Sequence, residues 1–173
     1  MVDFNTRIAP ILTAAEGKDE DEEEQSQACR RQVLQNDFND ANVVLTNDTT
    51  DVAGVLDFGD MCYTYLVMEC AIGMGYSMVG VYAKAHPNKA GLTAAAVAFY
   101  RGFNKVMPLR PREKEVVFGL ALCRLAMSAT LGAYSRSQEP DNAYLGLHAT
   151  PAILALELFS ETTPEELLTL LDA

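Results

Sequence analysis

Asp37-Phe38-Asn39-Asp40-Ala41-Asn42 sets an aspartate and an asparagine with four residues between them. Fifteen residues after Asn42 comes Asp57-Phe58-Gly59-Asp60. These residue types, in this order, suit phosphoryl transfer. A carboxylate must orient the attacking hydroxyl and accept its proton, while an amide oxygen and a second carboxylate hold Mg²⁺ against the phosphates. Each half of the pattern is weak alone. Both in order, each abutting a strand and separated by one hairpin, make a strong signal. The competing structural reading is a turn-rich hairpin with incidental acids. A calcium loop of the EF-hand type is excluded, because Ala41 and Asn42 stand where it needs an oxygen ligand and then glycine.

The elements that must position these residues can be read from the same stretch. Asn42 to Thr46 is β-branched, Val52 to Leu56 is a second strand candidate, and Asn47-Asp48-Thr49-Thr50-Asp51 between them is dense in turn formers. The hairpin so formed returns Asn42 and Asp57 to one end of the sheet. Val33-Leu34 is a brief apolar pair ahead of it. A short amphipathic helix is expected over residues 4–15, with Phe4, Ile8, Ile11 and Leu12 at helical spacing. Further helices are expected from Thr64 to Lys84, from the His86-Pro87-Asn88 break to Val106, and from Pro111 to Arg136. Val116, Leu120, Cys123 and Met127 would line one face of the last of these. Another covers Ala143 to Phe159, and Thr163-Pro164-Glu165-Glu166 opens a final one as a capping box. The chain reads as α+β and mostly helical, a small β-hairpin unit followed by a helical bundle, with no internal repeat.

The order Asp-x-x-x-x-Asn and then Asp-Phe-Gly is that of the protein-kinase catalytic and metal segments. More specifically, Gln35 to Asn42 with Gly54 to Met61 resembles the aminoglycoside-phosphotransferase-like kinases, and within them the hydroxylysine kinase branch. That branch reads roughly H-G-D-x-N-D-x-N, then G-[IV]-L-D-F-G-D-M-x-Y, then V-x-E-x-A-I. Tyr63, Val67, Glu69, Ala71 and Ile72 stand in the matching places. The similarity continues through Pro108-Leu109, Glu113-Lys114-Glu115, Cys123-Arg124-Leu125 and Gly132-Ala133-Tyr134-Ser135.

The resemblance implies that residues 1–173 form a protein-kinase-like C-terminal lobe. Within it, 16–28 would be an acidic loop insertion, 33–60 the catalytic and metal hairpin, and 62–171 a substrate-side bundle. It implies Mg²⁺-dependent transfer from GTP or ATP to a hydroxyl of a small amino acid or amine such as 5-hydroxy-L-lysine. By position, Asp37 would be the catalytic base, and Asn42 and Asp57 the Mg²⁺ ligands. Asp60 would meet a substrate ammonium or cap the next helix. Glu69 would tie the core helix to the catalytic loop. Arg124 and Tyr134 match the family without an assigned role.

Two departures stand out. Gln35 replaces the family's histidine, which braces the loop, and Asn36 replaces the glycine after it. Upstream of Asp37 there is no glycine-rich loop and no nucleotide-clamping lysine, so the nucleotide lobe is expected to be absent. Gly73-Met74-Gly75 does not supply it, lying inside the apolar helix. A non-catalytic pseudo-kinase lobe or inactive fragment, acting as a binding or regulatory module, is the alternative reading.

Composition narrows the rest. The net charge of −11 is mostly local, since Glu16 to Glu24 holds seven acids against Lys18. Such a run reads as a solvated, self-repelling loop, and the few scattered basic residues argue against a nucleic-acid surface. Cys29, Cys62, Cys70 and Cys123 form no C-x-x-C pair, which makes a zinc site improbable. Asp3, Asn5 and Arg7 interrupt any signal peptide, so a cytoplasmic chain with reduced thiols is expected. Met61 to Ala83 is nearly apolar, but Glu69 lies within it, and a helix buried in a soluble core is expected over a membrane span. His86 and His148 read as surface or packing residues. Oligomeric state is left open.

Overall fold

The computed structural model describes residues 4–14, 28–85, 88–142 and 148–171. The acidic run, His86 and the first part of the helix expected from Ala143 lie outside the described residues. A π-helical turn, Phe4–Ile8, runs into α1, Ala9–Thr13. Ile8 and Leu12, four residues apart and so on one face, are buried.

Among the described residues four short strands follow: β1 (Arg31–Leu34), β2 (Val43–Leu45), β3 (Val52–Val55) and β4 (Cys62–Tyr65). They make two antiparallel ribbons. In one, β2 pairs with β3, placing Val43 opposite Val55. In the other, β1 pairs with β4, placing Leu34 opposite Cys62 and Arg31 opposite Tyr65. The β2–β3 hairpin is thus inserted between the two strands of the second ribbon.

Five helices follow among the described residues: α2 (Val67–Ala85), α3 (Lys89–Val106), α4 (Pro111–Gln138), α5 (Ala149–Phe159) and α6 (Pro164–Thr169). Asn88 caps α3 by accepting the Gly91 N–H, and Thr163 with Glu166 forms the capping box of α6. The architecture is α+β and mostly helical, as the sequence indicates.

The expectation of a helix from Thr64 is corrected. Cys62-Tyr63-Thr64-Tyr65 is a strand, and α2 begins only at Val67. Tyr and Thr are strong strand formers, and the backbone of β1 supplies the partner. The Leu66 N–H then donates to the Arg30 carbonyl at 2.7 Å, closing the ribbon before the helix starts.

Helix α2 forms the centre of the core. Val67, Cys70, Ala71, Met74 and Met78 are all fully buried, and the helix packs against α3 and α4. Gly73 permits the α3 contact, because a Cβ there would collide with the Phe99 ring. Gly75 lets the α4 backbone close in, with its Cβ position 3.3 Å from the Ala121 carbonyl oxygen.

Residues Val116 to Leu122 of α4 are buried on every side. The helix is long and apolar enough by composition to cross a membrane, yet half of its most apolar window is covered by the fold. The expected face of Val116, Leu120, Cys123 and Met127 stops short. Met127 is 46% exposed, because beyond Leu125 the helix keeps only Ala129 in the core.

Glu113, with no exposed surface, joins the start of α4 to the start of β1. Its carboxylate accepts from the Arg110 N–H at 2.8 Å, the Arg30 N–H at 2.8 Å, and Arg30 Nε and Nη2 at 3.1 and 2.6 Å. Burial alone would raise its pKa, but the hydrogen bonds from Arg30 and Arg110 outweigh it and hold the group below the ordinary carboxylate range. Glu113→Gln should therefore cost about 3 kcal/mol at neutral pH, the scale for breaking a buried pair from one side. A depressed native pKa contributes stability that is present above the unfolded value, about pH 4, and lost as pH falls through the native one. Urea unfolding of both proteins should show the gap closing in acid. A gap unchanged down to the wild type's acid unfolding would contradict the assignment.

Candidate active site

The loop between β1 and β2 carries Asp37, and every bond that shapes it can be named. Asn36 adopts a left-handed backbone, φ 66°, which asparagine tolerates better than most residues because of its short polar side chain. That conformation points the Asn36 N–H at Glu69 of α2, whose Oε2 accepts it at 2.9 Å. Burial pushes the Glu69 pKa up, and the Asp37 charge adds to this while the Asn36 N–H opposes it.

Gln35 joins the loop to the segment after β3. Its Oε1 accepts the Asp37 N–H at 2.9 Å, while its Nε2 donates to the carbonyls of Leu56 at 3.1 Å and Asp57 at 2.6 Å. One side chain thus fixes Asp37 and Asp57 relative to each other.

The Asp37 carboxylate is held on both oxygens. Oδ2 accepts from Asn39 Nδ2 and Asn42 Nδ2, each at 3.0 Å. Oδ1 accepts from Arg124 Nη2 of α4 at 2.5 Å. Asn39 also caps the 3₁₀ turn Asp40–Asn42, its Oδ1 accepting the N–H groups of Ala41 and Asn42. Asn42 is buried, and its carbonyl accepts the Leu56 N–H at 2.8 Å. The β2–β3 register therefore brings Asn42 within one residue of Asp57.

Asp57 also has a left-handed backbone, φ 52°, and its Oδ1 accepts the Gly59 N–H at 3.0 Å. Its other oxygen is left for a further partner. The Asn42 amide nitrogen is committed to Asp37, which leaves its amide oxygen for a cation. One carboxylate and one amide oxygen are hard donors of the kind Mg²⁺ takes, with phosphate oxygens and water completing its shell. The residues present fit that ion.

Asp60 is exposed, and its carbonyl accepts Asn36 Nδ2 at 3.4 Å. It does not cap the next helix, which begins seven residues later. Tyr134 is 65% exposed on the outer half of α4, away from this cluster's hydrogen bonds. His148 packs edge-on against Tyr76 of α2, with ring centroids 5.5 Å apart. Beside the loop lies a cavity of about 310 Å³, bounded by Phe38, Asp40, Tyr76, Lys84 and Phe99 among others.

Arg124 is, with Tyr134, one of the two residues whose role the sequence left unassigned. It lies 87 positions from Asp37, and no local spacing announces the pair. The one signal in the sequence is a charged residue inside the apolar run Leu120 to Ala129.

A sequence model of the phosphotransferase enzyme family matches residues 8–108. Among curated proteins, the chain is 32% identical over 109 residues to hydroxylysine kinase of Danio rerio and 34% identical over 113 residues to that of Bos taurus. Each alignment takes in 61% of this chain and 28% of the relative. The Xenopus laevis hydroxylysine kinase is 31% identical over 121 residues, covering 65% of this chain and 30% of that one. The chain thus spans under a third of the length of these relatives. No solved structure matches it.

Proposed function

We propose, for a chain that belongs to the phosphotransferase enzyme family, that it serves the transfer of a terminal phosphate from GTP or ATP to the hydroxyl of a small amine-bearing molecule. The similarity to hydroxylysine kinases points to 5-hydroxy-L-lysine as the acceptor. The observation that carries this reading is the placement of Asp37, Asn42 and Asp57 at one end of the two ribbons, joined through Gln35 and the Asn42–Leu56 bond.

Asp37 orients the acceptor hydroxyl and takes its proton. A carboxylate offers about four lone-pair sites, and Arg124, Asn39 and Asn42 occupy three of them. The remaining one is left for the substrate. Asn42 and Asp57 would hold Mg²⁺, which supplies neutralisation of the phosphate charge when bound. The exposed Asp60 carboxylate suits a substrate ammonium. On this reading residues 33–60 form the catalytic and metal unit, and the helices after it form the acceptor side.

Gln35 and the expected lack of a nucleotide-clamping lysine motivated the non-catalytic alternative, and the bonds that Gln35 makes answer the first of these alone. The test is turnover by the polypeptide isolated from its source cells, supplied with Mg²⁺, GTP or ATP, and a panel of amino alcohols including 5-hydroxylysine. The expected result is a phosphate ester of one acceptor, identified by mass. A folded preparation that yields none from any acceptor with either nucleotide would overturn the proposal.

A further inference from the structure

We infer that Arg124 is a positioning residue for this transfer, fixing the Asp37 carboxylate from the helical bundle, and that Tyr76 clamps Arg124 in turn. The inference rests on the proposed role of Asp37. The other bonds to that carboxylate come from Asn39 and Asn42, within five residues of it. They shape the loop but do not relate it to the acceptor side. The bond from Arg124 Nη2 does so, reaching Oδ1 from a helix whose first half is locked in the core.

The geometry around Arg124 leaves it little freedom. Its side chain is 12% exposed and that of Asp37 20%, so water screens the pair far less than a surface one. Nη2 also donates to the Tyr76 hydroxyl at 3.2 Å, and the guanidinium carbon lies 5.4 Å from the Tyr76 ring centroid. A planar guanidinium held by a ring face and by two acceptors on one nitrogen has its direction set, which an ammonium on a flexible stem cannot reproduce. Arg124 Nε is buried with no hydrogen-bond partner. A buried donor left unpaired calls for an explanation, and here the side chain's reach to Asp37 and Tyr76 dictates where Nε falls.

The test compares Arg124→Gln, Arg124→Lys, Tyr76→Phe and Asp37→Asn, and the Asp37→Asn/Arg124→Gln double variant, in the polypeptide as its cells make it. Arg124→Gln should lower kcat about 100-fold, the scale of a base misplaced by about an ångström, with the acceptor KM little changed. Arg124→Lys should recover part of that loss, and Tyr76→Phe should lower kcat by a smaller factor. The double variant should turn over no more slowly than Asp37→Asn alone, because Arg124 acts through Asp37. Multiplied losses, or a raised KM with kcat intact, would overturn the inference by making Arg124 an independent contact.

A wild type with no turnover would sink the proposed function instead. The side-chain amide NMR signals of Asn39 and Asn42, which donate to the same carboxylate, then decide. Arg124→Gln should displace them and Arg124→Lys restore them in part. Signals unmoved by Arg124→Gln, in a variant that keeps its fold, would overturn the inference.

Discussion

Asp37→Asn should lower turnover about 1,000-fold, within the range for removing a positioned general base, while nucleotide affinity stays close to wild type. The substitution keeps size and shape but changes what the group can accept. An amide presents one oxygen and one NH₂, so a donor must now face either Arg124 or the paired amides of Asn39 and Asn42. Either choice sets donor against donor and leaves no basic lone pair for the substrate hydroxyl. Because Arg124 is half of a largely buried pair, some stability is lost as well, about 1–3 kcal/mol for a partner left unsatisfied. Thermal unfolding beside steady-state kinetics separates the two effects. Turnover within tenfold of wild type, in a protein that remains folded, would remove Asp37 from the role of base.

The second large effect is expected at Asp57→Asn. Asparagine tolerates the left-handed backbone that Asp57 adopts and can still accept the Gly59 N–H. The local turn should survive, and the loss is confined to one negative charge at the metal end. A charge contribution of several kcal/mol to the transferring phosphoryl group converts to a fall in kcat/KM on the order of 1,000-fold. The half-saturating Mg²⁺ concentration should rise in parallel. Mg²⁺ titrations of turnover at fixed nucleotide check this. An unchanged Mg²⁺ dependence would exclude Asp57 as a ligand.

The sequence carried the hairpin with its Asp, Asn and Asp because those elements are local. Turn formers between two β-branched runs, and caps such as Thr163 with Glu166, are written within a few residues of where they act. The left-handed backbone at Asn36 was not read from the sequence, where the residue marks only a departure from the glycine of the family it resembles. Neither was strand β4. Cys62 to Tyr65 runs into the apolar α2 without punctuation, and its partner β1 lies about thirty residues earlier. Two long-range pairs were equally silent. Arg124 meets Asp37 across 87 positions and Arg30 meets Glu113 across 83, and only the packing of α4 against α2 and the loop brings them together. The exposure of Met127 follows from the same cause, because the point where α4 leaves the core depends on its neighbours.

Gln35 stands where the resemblance would put a histidine, and an amide there alters how the joint responds to acid. Its oxygen accepts from Asp37 while its nitrogen donates to Leu56 and Asp57, so both halves of the amide are in use. A neutral imidazole could also accept at one nitrogen and donate at the other, but a protonated one only donates. It would then turn an N–H toward the Asp37 N–H, at an acidity that histidine reaches near pH 6.5. An amide neither gains nor loses a proton anywhere in that range. The brace between Asp37 and Asp57 therefore keeps one hydrogen-bonding pattern through mild acidification, where a histidine in its place would switch.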